Sequence, residues 1–293
     1  MMKIGLITYL DDPELSESDK LLIEPLKRLG FEVLNTAWDD SKIKWKNFRC
    51  LVLRSCWNYH KKYKKFTRWL DYIEKNNIRL FNPVSIIKWN SNKKYLVDLG
   101  KKGIHIVPTI YIKSKSKIKI GRLLKENNLS NVIVVKPAIG ASAYKIFKFH
   151  IDKINRYLPK IIELIDKFDV IIQPFMKEIF KGEYSSIIIG GIYSHTVLKV
   201  PKKGDYRSNY HFGANEKKIE LNTNDIKEIM SIYDSITRKS LLYARIDFIK
   251  QDKAIFLMEA ELIEPHLFFD MNKKSANLFA TSLLKMLKNI SEE

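Results

Sequence analysis

The stretch RIDFIKQDKAIFLMEAELIEP, residues 245–265, carries five acidic side chains in a 293-residue chain whose formal charge is +19. Strand-like runs at 242–250 and 254–263 flank a polar break, so the segment reads as a β-hairpin. Asp247 lies on the first strand, while Glu259 and Glu261, two residues apart, share one face of the second. Register decides whether the three converge. A three-residue turn over 251–253 pairs residue 250 with 254 and 247 with 257, which sets Asp247 beside both glutamates. A two-residue turn sends it to the opposite face unless a bulge restores it. Carboxylates so arranged suit Mg²⁺, a hard cation that keeps several waters and bridges to nucleotide phosphates. The competing reading is a solvated acidic face, which the apolar neighbours in RIDFI and AIFLM disfavour.

The basic balance, 52 Lys+Arg against 33 Asp+Glu, raises the question of nucleic acid. The lysines are scattered (KKYKK at 61–65, KSKSKIKI at 113–120, KKG at 202–204), as expected of a solvated surface, whereas phosphate binding needs a clustered patch. An acidic peptide or protein carrier is a partner such a surface would suit, and nucleic acid is the weaker reading. No apolar run approaches the ~18 residues of a membrane span. The amino terminus MMKIGLITYLDD turns acidic where a signal peptide needs small residues, so a cytoplasmic location is expected. Cys50 and Cys56 have no zinc-spaced partners and read as apolar residues near a strand.

Alternating strands and helices up to Asn82-Pro83 (KIGLITY, FEVLNTAW, CLVLRSCW, IRLFNP) predict a small parallel α/β domain over 1–83. A central α+β unit is expected over 84–175 and a second, bearing the acidic hairpin, over 176–293. Gly190-Gly191 predicts a two-residue hairpin turn, because glycine accepts positive φ twice. In VVKPAIGASAYK a lysine at a strand end precedes a loop of small residues whose N–H groups can approach phosphate; a plain hairpin is the alternative. Neither GxxxxGK[ST] nor GxGxxG occurs. Arg207 lies in the polar stretch 201–222, which is either surface loop or a cover over a site. His195 and His211 lack a neighbouring nucleophile.

Six blocks in order, RSCWNYH (54–60), NPVSIIKWNSNKKYLVDLGKKGIHIVPT (82–109), VVKPAIGAS (134–142), QPFMKEIFKGEYS (173–185), YSHTVLKVPKKGDYRSNYHFGA (193–214) and YARIDFI with FLMEAELIEPHLFF (243–269), resemble the ATP-grasp carboxylate–amine ligases. The most similar branch surrounds the D-cycloserine-forming cyclo-ligase and the bacterial glutathione synthetase-like proteins. The resemblance implies a parallel N-terminal domain and two α+β subdomains enclosing ATP, with ATP and Mg²⁺ used to join a small-molecule carboxylate to an amine. Lys93 and Lys136 match the phosphate-contacting lysines, with Lys94 the competitor for the first role, and Gly140, Ala141 and Ser142 match the small loop over the phosphates. Gln173, Phe175 and Met176 match the adenine hinge, Glu178 or Glu183 the ribose partner, and Lys199 belongs with the nucleotide contacts. Asp247, Glu259 and Glu261 match the metal ligands, and Arg207 the arginine that steadies an acyl-phosphate. Arg54, Trp57, Glu264 and His266 are candidate substrate contacts at sheet and strand ends. Two departures stand out: Glu261 replaces the usual Asn, and Ala214 replaces the second glycine of the cover loop. Oligomeric state stays open, homo-oligomers included.

Overall fold

The computed structural model describes residues 2–127, 129, 131–140, 145–208, 210–252 and 254–289. The first sheet consists of β1 (Met2–Thr8), β2 (Phe31–Ala37), β3 (Cys50–Leu53) and β4 (Leu80–Phe81), in the order β2-β1-β3-β4 and parallel throughout. Burial on both faces explains the unbroken apolar strand runs. Helix Tyr63–Lys75 covers one face through Phe66, Trp69, Leu70 and Ile73, which pack with Trp38 and Trp45 in an aromatic cluster.

The second sheet is antiparallel, with β5 (Ile110–Ile112), β6 (Val132–Pro137), β7 (Phe147–His150) and β8 (Val170–Pro174) in the order β5-β8-β6-β7. It has its own core, where Ile133, Val135 and Ile172 meet Ile161, Leu164 and Ile165 of helix Ile154–Lys167.

The third sheet holds β9 (Glu183–Ile189), β10 (Ile192–Val200), β11 (Asn215–Ile219), β12 (Tyr243–Gln251) and β13 (Ala254–Glu261), ordered β11-β10-β9-β12-β13. Gly190 and Gly191, with φ of 59° and 79°, join β9 to β10, as the diglycine predicts. β11 falls inside the stretch read from sequence as a loop. Its alternation of Glu, Lys and Ile is too polar to announce a strand, yet pairing with β10 satisfies its backbone.

Two helical segments tie the sheets together. Residues 84–101, grouped by sequence with the central unit, contribute Tyr95, Leu96 and Leu99 to the core beneath the third sheet. Helix Lys273–Asn289 buries Phe279, Ala280 and Leu283 in a core shared by the first and third sheets. At the Asn82-Pro83 turn, the Asn82 carboxamide donates to the carbonyls of Tyr243 and Leu262 at 2.9 and 2.8 Å and accepts from the Leu242 N–H at 3.0 Å. No helix of the described residues is long and apolar enough to cross a membrane.

Candidate active site

The hairpin closes differently from the simplest expectation and reaches the same result. Gln251 pairs with Ala254 and Phe248 with Leu257, the register that would turn Asp247 away. A bulge then shifts the ladder, so that Asp247 faces Glu259 and Arg245 faces Glu261. One extra residue on β13 thus brings Asp247, Glu259 and Glu261 to one face. The bulged strand is held from behind: Tyr95 Oη accepts from the Ala260 N–H at 3.0 Å, and Asn90 bonds the Ala260 carbonyl at 2.7 Å and the Leu262 N–H at 3.0 Å.

That face lines a cavity of about 1250 Å³ between the second and third sheets. Lys136, from β6, reaches across to Glu259 Oε1 at 3.1 Å, and Lys93 lies 3.5 Å from Glu259 Oε2. Lys93 also donates through Nζ to the Gly140 carbonyl at 2.7 Å, holding the start of the small-residue loop. Lys94, its competitor in the sequence, is absent from the cavity lining. Ala141 and Ser142 lie outside the described residues.

Each carboxylate of the face has a cationic partner. Arg245 donates to both oxygens of Asp247 and contacts Glu261 at 2.5 Å, and Ser185 Oγ donates to Asp247 Oδ1 at 2.5 Å. Burial disfavours the Asp247 charge, but Arg245 and Lys199 outweigh it and hold the carboxyl below its ordinary range. Glu259 is likewise lowered, with Lys93 and Lys136 overcoming burial. Glu261 goes the other way: burial, abetted by Asp247 and Glu259, pushes it up to about 7. The close contact with Arg245 pulls toward the ionised form, and burial with the two neighbouring carboxylates prevails over it. The charge that Glu261 adds where the family pattern has Asn is offset by Arg245. Arg245 escaped the sequence reading, although its period-2 spacing from Asp247 was the available signal.

Lys199 is buried and bonds Glu183 at 3.1 Å. Burial lowers its pKa, but Asp247 and Glu183 reverse this and keep it raised. Gln173, Phe175, Met176 and Glu183 line the cavity; Glu178, the alternative ribose partner, does not, because it lies on the 3-10 turn Lys177–Lys181. Gln173 Nε2 donates to Thr109 at 2.8 Å. The cover segment reaches the cavity through Tyr206, Arg207, Ser208 and His211. Ser208 Oγ donates to Glu183, and Tyr206 meets the Phe175 ring edge-on at 5.6 Å. Arg207 pairs with Asp205 at 2.6 Å and stacks on Phe212. Ala214 is buried.

Toward the first sheet, Trp57, Glu264 and His266 line the same cavity. The Trp57 indole N–H donates to the Glu264 carbonyl at 3.1 Å. Burial lowers His266 to about 4, so it is neutral. Arg54 corrects the expectation of a substrate contact. It is fully buried, donates to Asp19 at 2.7 and 3.0 Å and to the Pro265 carbonyl at 2.8 Å, and lies 5.1 Å from the Tyr243 ring centre. The short strand β3 ends at Leu53, which leaves Arg54 inside the domain junction, away from the cavity.

Among the described residues no three His, Cys, Asp or Glu side chains form a ready-made metal cage. Magnesium needs none, since it binds through one or two carboxylates plus substrate phosphates. An all-oxygen donor set on one cavity face, opposite two lysines, fits that requirement.

Two α+β sheets closing on a cavity, with lysines from one and carboxylates from the other, define an ATP-grasp fold. Residues 102–274 match the family model of the prokaryotic glutathione synthetase ATP-grasp domain, and the chain belongs to that family; residues 4–82 match the model of the D-cycloserine synthetase DcsG N-terminal domain. The chain is an ADP-forming carboxylate–amine ligase that uses ATP and magnesium. It is 23% identical over 285 residues to the cycloserine biosynthesis protein DcsG of Streptomyces lavendulae, covering 91% of this chain and 93% of that one. The crystal structure of D-cycloserine synthetase DcsG is similar with a TM-score of 0.87 at 21% identity, covering 97% and 99% of the two chains. D-alanine–D-alanine ligase from Bacillus anthracis complexed with ATP has a TM-score of 0.69 at 17% identity, covering 99% and 97%.

Proposed function

We propose that the ligase activates a small-molecule carboxylate as an acyl-phosphate and passes the acyl group to an amine, forming an amide. The reading is supported above all by Lys93 and Lys136 facing Asp247, Glu259 and Glu261 across one cavity. Lys93, Lys136 and Lys199 contact the nucleotide phosphates beside Gly140, Gln173 to Met176 take adenine, and Glu183 takes ribose. Asp247, Glu259 and Glu261 would hold magnesium, which when bound would neutralise phosphate charge. A substrate carboxylate oxygen attacks the γ-phosphorus, and the bond to the β-phosphate oxygen breaks, releasing ADP. The amine nitrogen then attacks the acyl carbon, the carbon–oxygen bond to phosphate breaks, and the nitrogen loses a proton. Arg207 leaves Asp205 to meet the oxyanion at that carbon. The protein's contribution is positional and electrostatic, and no side-chain nucleophile is required. Of the three units 1–83, 84–175 and 176–293 drawn from sequence, the middle one gives up residues 84–101 to the core of the third sheet.

The test is ADP release by coupled assay with panels of amino acids and small peptides, with products read by mass spectrometry. ADP release should require an acid and an amine together, and products confined to peptides would move the substrate class to a peptide carrier. Magnesium ATP at about 100 times its Kd should add about 2.7 kcal/mol of stability; an unchanged melting temperature would sink the nucleotide assignment. Lys93→Met should lower the rate of ADP release by about 10²–10³-fold, as expected for losing a preorganised cation at the transferring group. Lys94→Met, a change outside the cavity, should stay within about twofold, since surface changes away from such features have small effects. A larger loss from Lys94→Met than from Lys93→Met would reverse the choice between these lysines.

A further inference from the structure

Five carboxylate residues are buried among the described residues: Asp19, Asp39, Asp225, Asp247 and Glu264. Four have cationic partners, Arg54, Lys62, Lys250 and Arg245 respectively. Glu264 has none. Its side chain is held only by its own backbone N–H, and no other described side chain hydrogen-bonds or ion-pairs with it. It is 9 % exposed, and that exposure is to the cavity it lines. A buried carboxylate without a partner is costly: it takes up a proton or receives a group that supplies the missing charge. Burial, with help from Glu261, pushes its pKa up to about 8, the direction expected of a charge left uncompensated.

The surroundings suit a cation. Trp57 and Tyr59 line the same cavity and neighbour Glu264, and aromatic rings of this kind attract an ammonium group. The cations in electrostatic range are committed elsewhere, Lys93 to Gly140 and Glu259, and Arg245 to Asp247 and Glu261. Trp57 donates its indole N–H to the Glu264 carbonyl, which ties the residue to the first-sheet body, and Glu264 lines the same cavity as Glu259 and Glu261. We infer that Glu264, with Trp57 and Tyr59, is an ammonium-recognition site, so that the ligase takes a substrate whose amine arrives as a primary ammonium ion. The inference rests on the ligase reading above and names the chemical class of one substrate. It also explains why one cavity carries carboxylates at two places: one set answers the lysines and magnesium, and Glu264 answers the substrate.

The probe is ethylammonium chloride, compared with ethanol in sodium chloride of equal ionic strength, each with and without magnesium ADP. A pH of about 8.5 keeps an alkylammonium charged while Glu264 ionises. At about 100 mM, ethylammonium should raise the melting temperature of the wild type by roughly 1–3 °C and ethanol should not. Glu264→Gln should abolish that rise and keep the magnesium ADP shift. No rise in the wild type, or the same rise in Glu264→Gln, overturns the site. A wild-type sample lacking the magnesium ADP shift would instead condemn the nucleotide reading. Should the variant fail to fold, a crystal structure of the wild type soaked in ethylammonium chloride decides: ethylammonium seated against the Glu264 carboxylate supports the site, and its absence there overturns it.

Discussion

Glu259→Gln should lower the rate of ADP release by about 10³-fold, or about 4 kcal/mol of barrier. The amide keeps the shape of the side chain and removes its charge. Two lysines, Lys93 at 3.5 Å and Lys136 at 3.1 Å, would then face the nucleotide without their shared anion, and magnesium would lose a ligand. The loss should be accompanied by a higher magnesium requirement, read by titrating the metal at saturating ATP. Glu261→Gln is the internal comparison. Its carboxyl is already raised to about 7 and is matched by Arg245, and the family pattern tolerates an amide there, so about a tenfold loss is expected on the scale of a single weakened electrostatic contact. If Glu259→Gln retained rates within tenfold of the wild type, the metal assignment would fail, whatever became of Glu261.

The fold was legible because its strands announce themselves by pattern: β1 and β3 are continuous apolar runs, as a buried parallel sheet demands, and Gly190-Gly191 punctuates the β9-β10 hairpin. The acidic hairpin was legible in its residue types and only conditionally in its geometry. Period-2 reasoning carries side-chain direction along a strand, but a single bulge reverses it. The bulge lies within FLMEAE, a stretch without the glycine that often marks one. β11 was hidden because its NEKKI sequence is mostly polar; its strand conformation comes from pairing at a sheet edge.

Arg245 and Arg54 show the other limit. Both are arginines at or beside strands, and charge alone suggests exposure or ligand contact. The burial of Arg54 depends on partners far away in sequence, Asp19 and Pro265, which local pattern cannot supply, whereas Arg245 pairs with Asp247 two residues on and with Glu261 across the hairpin. Glu264 and Trp57, which line the cavity, were named as candidates because they lie inside recognisable blocks, whereas Asn90 and Tyr95, which clamp β13 from behind, carry no motif that distinguishes them from ordinary helix residues.

Arg54→Met should destabilise the protein by about 3–5 kcal/mol, because it leaves Asp19 as a buried charge without its partner. For a chain of this size that corresponds to a fall on the order of 5–10 °C in melting temperature. Asp19 would keep only the Ser55 hydroxyl, 2.9 Å from Oδ2, and the Pro265 carbonyl would lose its donor, so the 262–270 segment would lose a tie to the first sheet. The double variant Arg54→Met with Asp19→Asn removes the orphaned charge and should recover part of the loss. Because Arg54 lies outside the cavity, kcat measured well below the melting transition should stay within about threefold, as for a change whose mechanism is core stability. A variant of unaltered stability whose KM for the acid rose a hundredfold would return Arg54 to the substrate site, against its burial beneath the Tyr243, Phe269 and Phe279 rings.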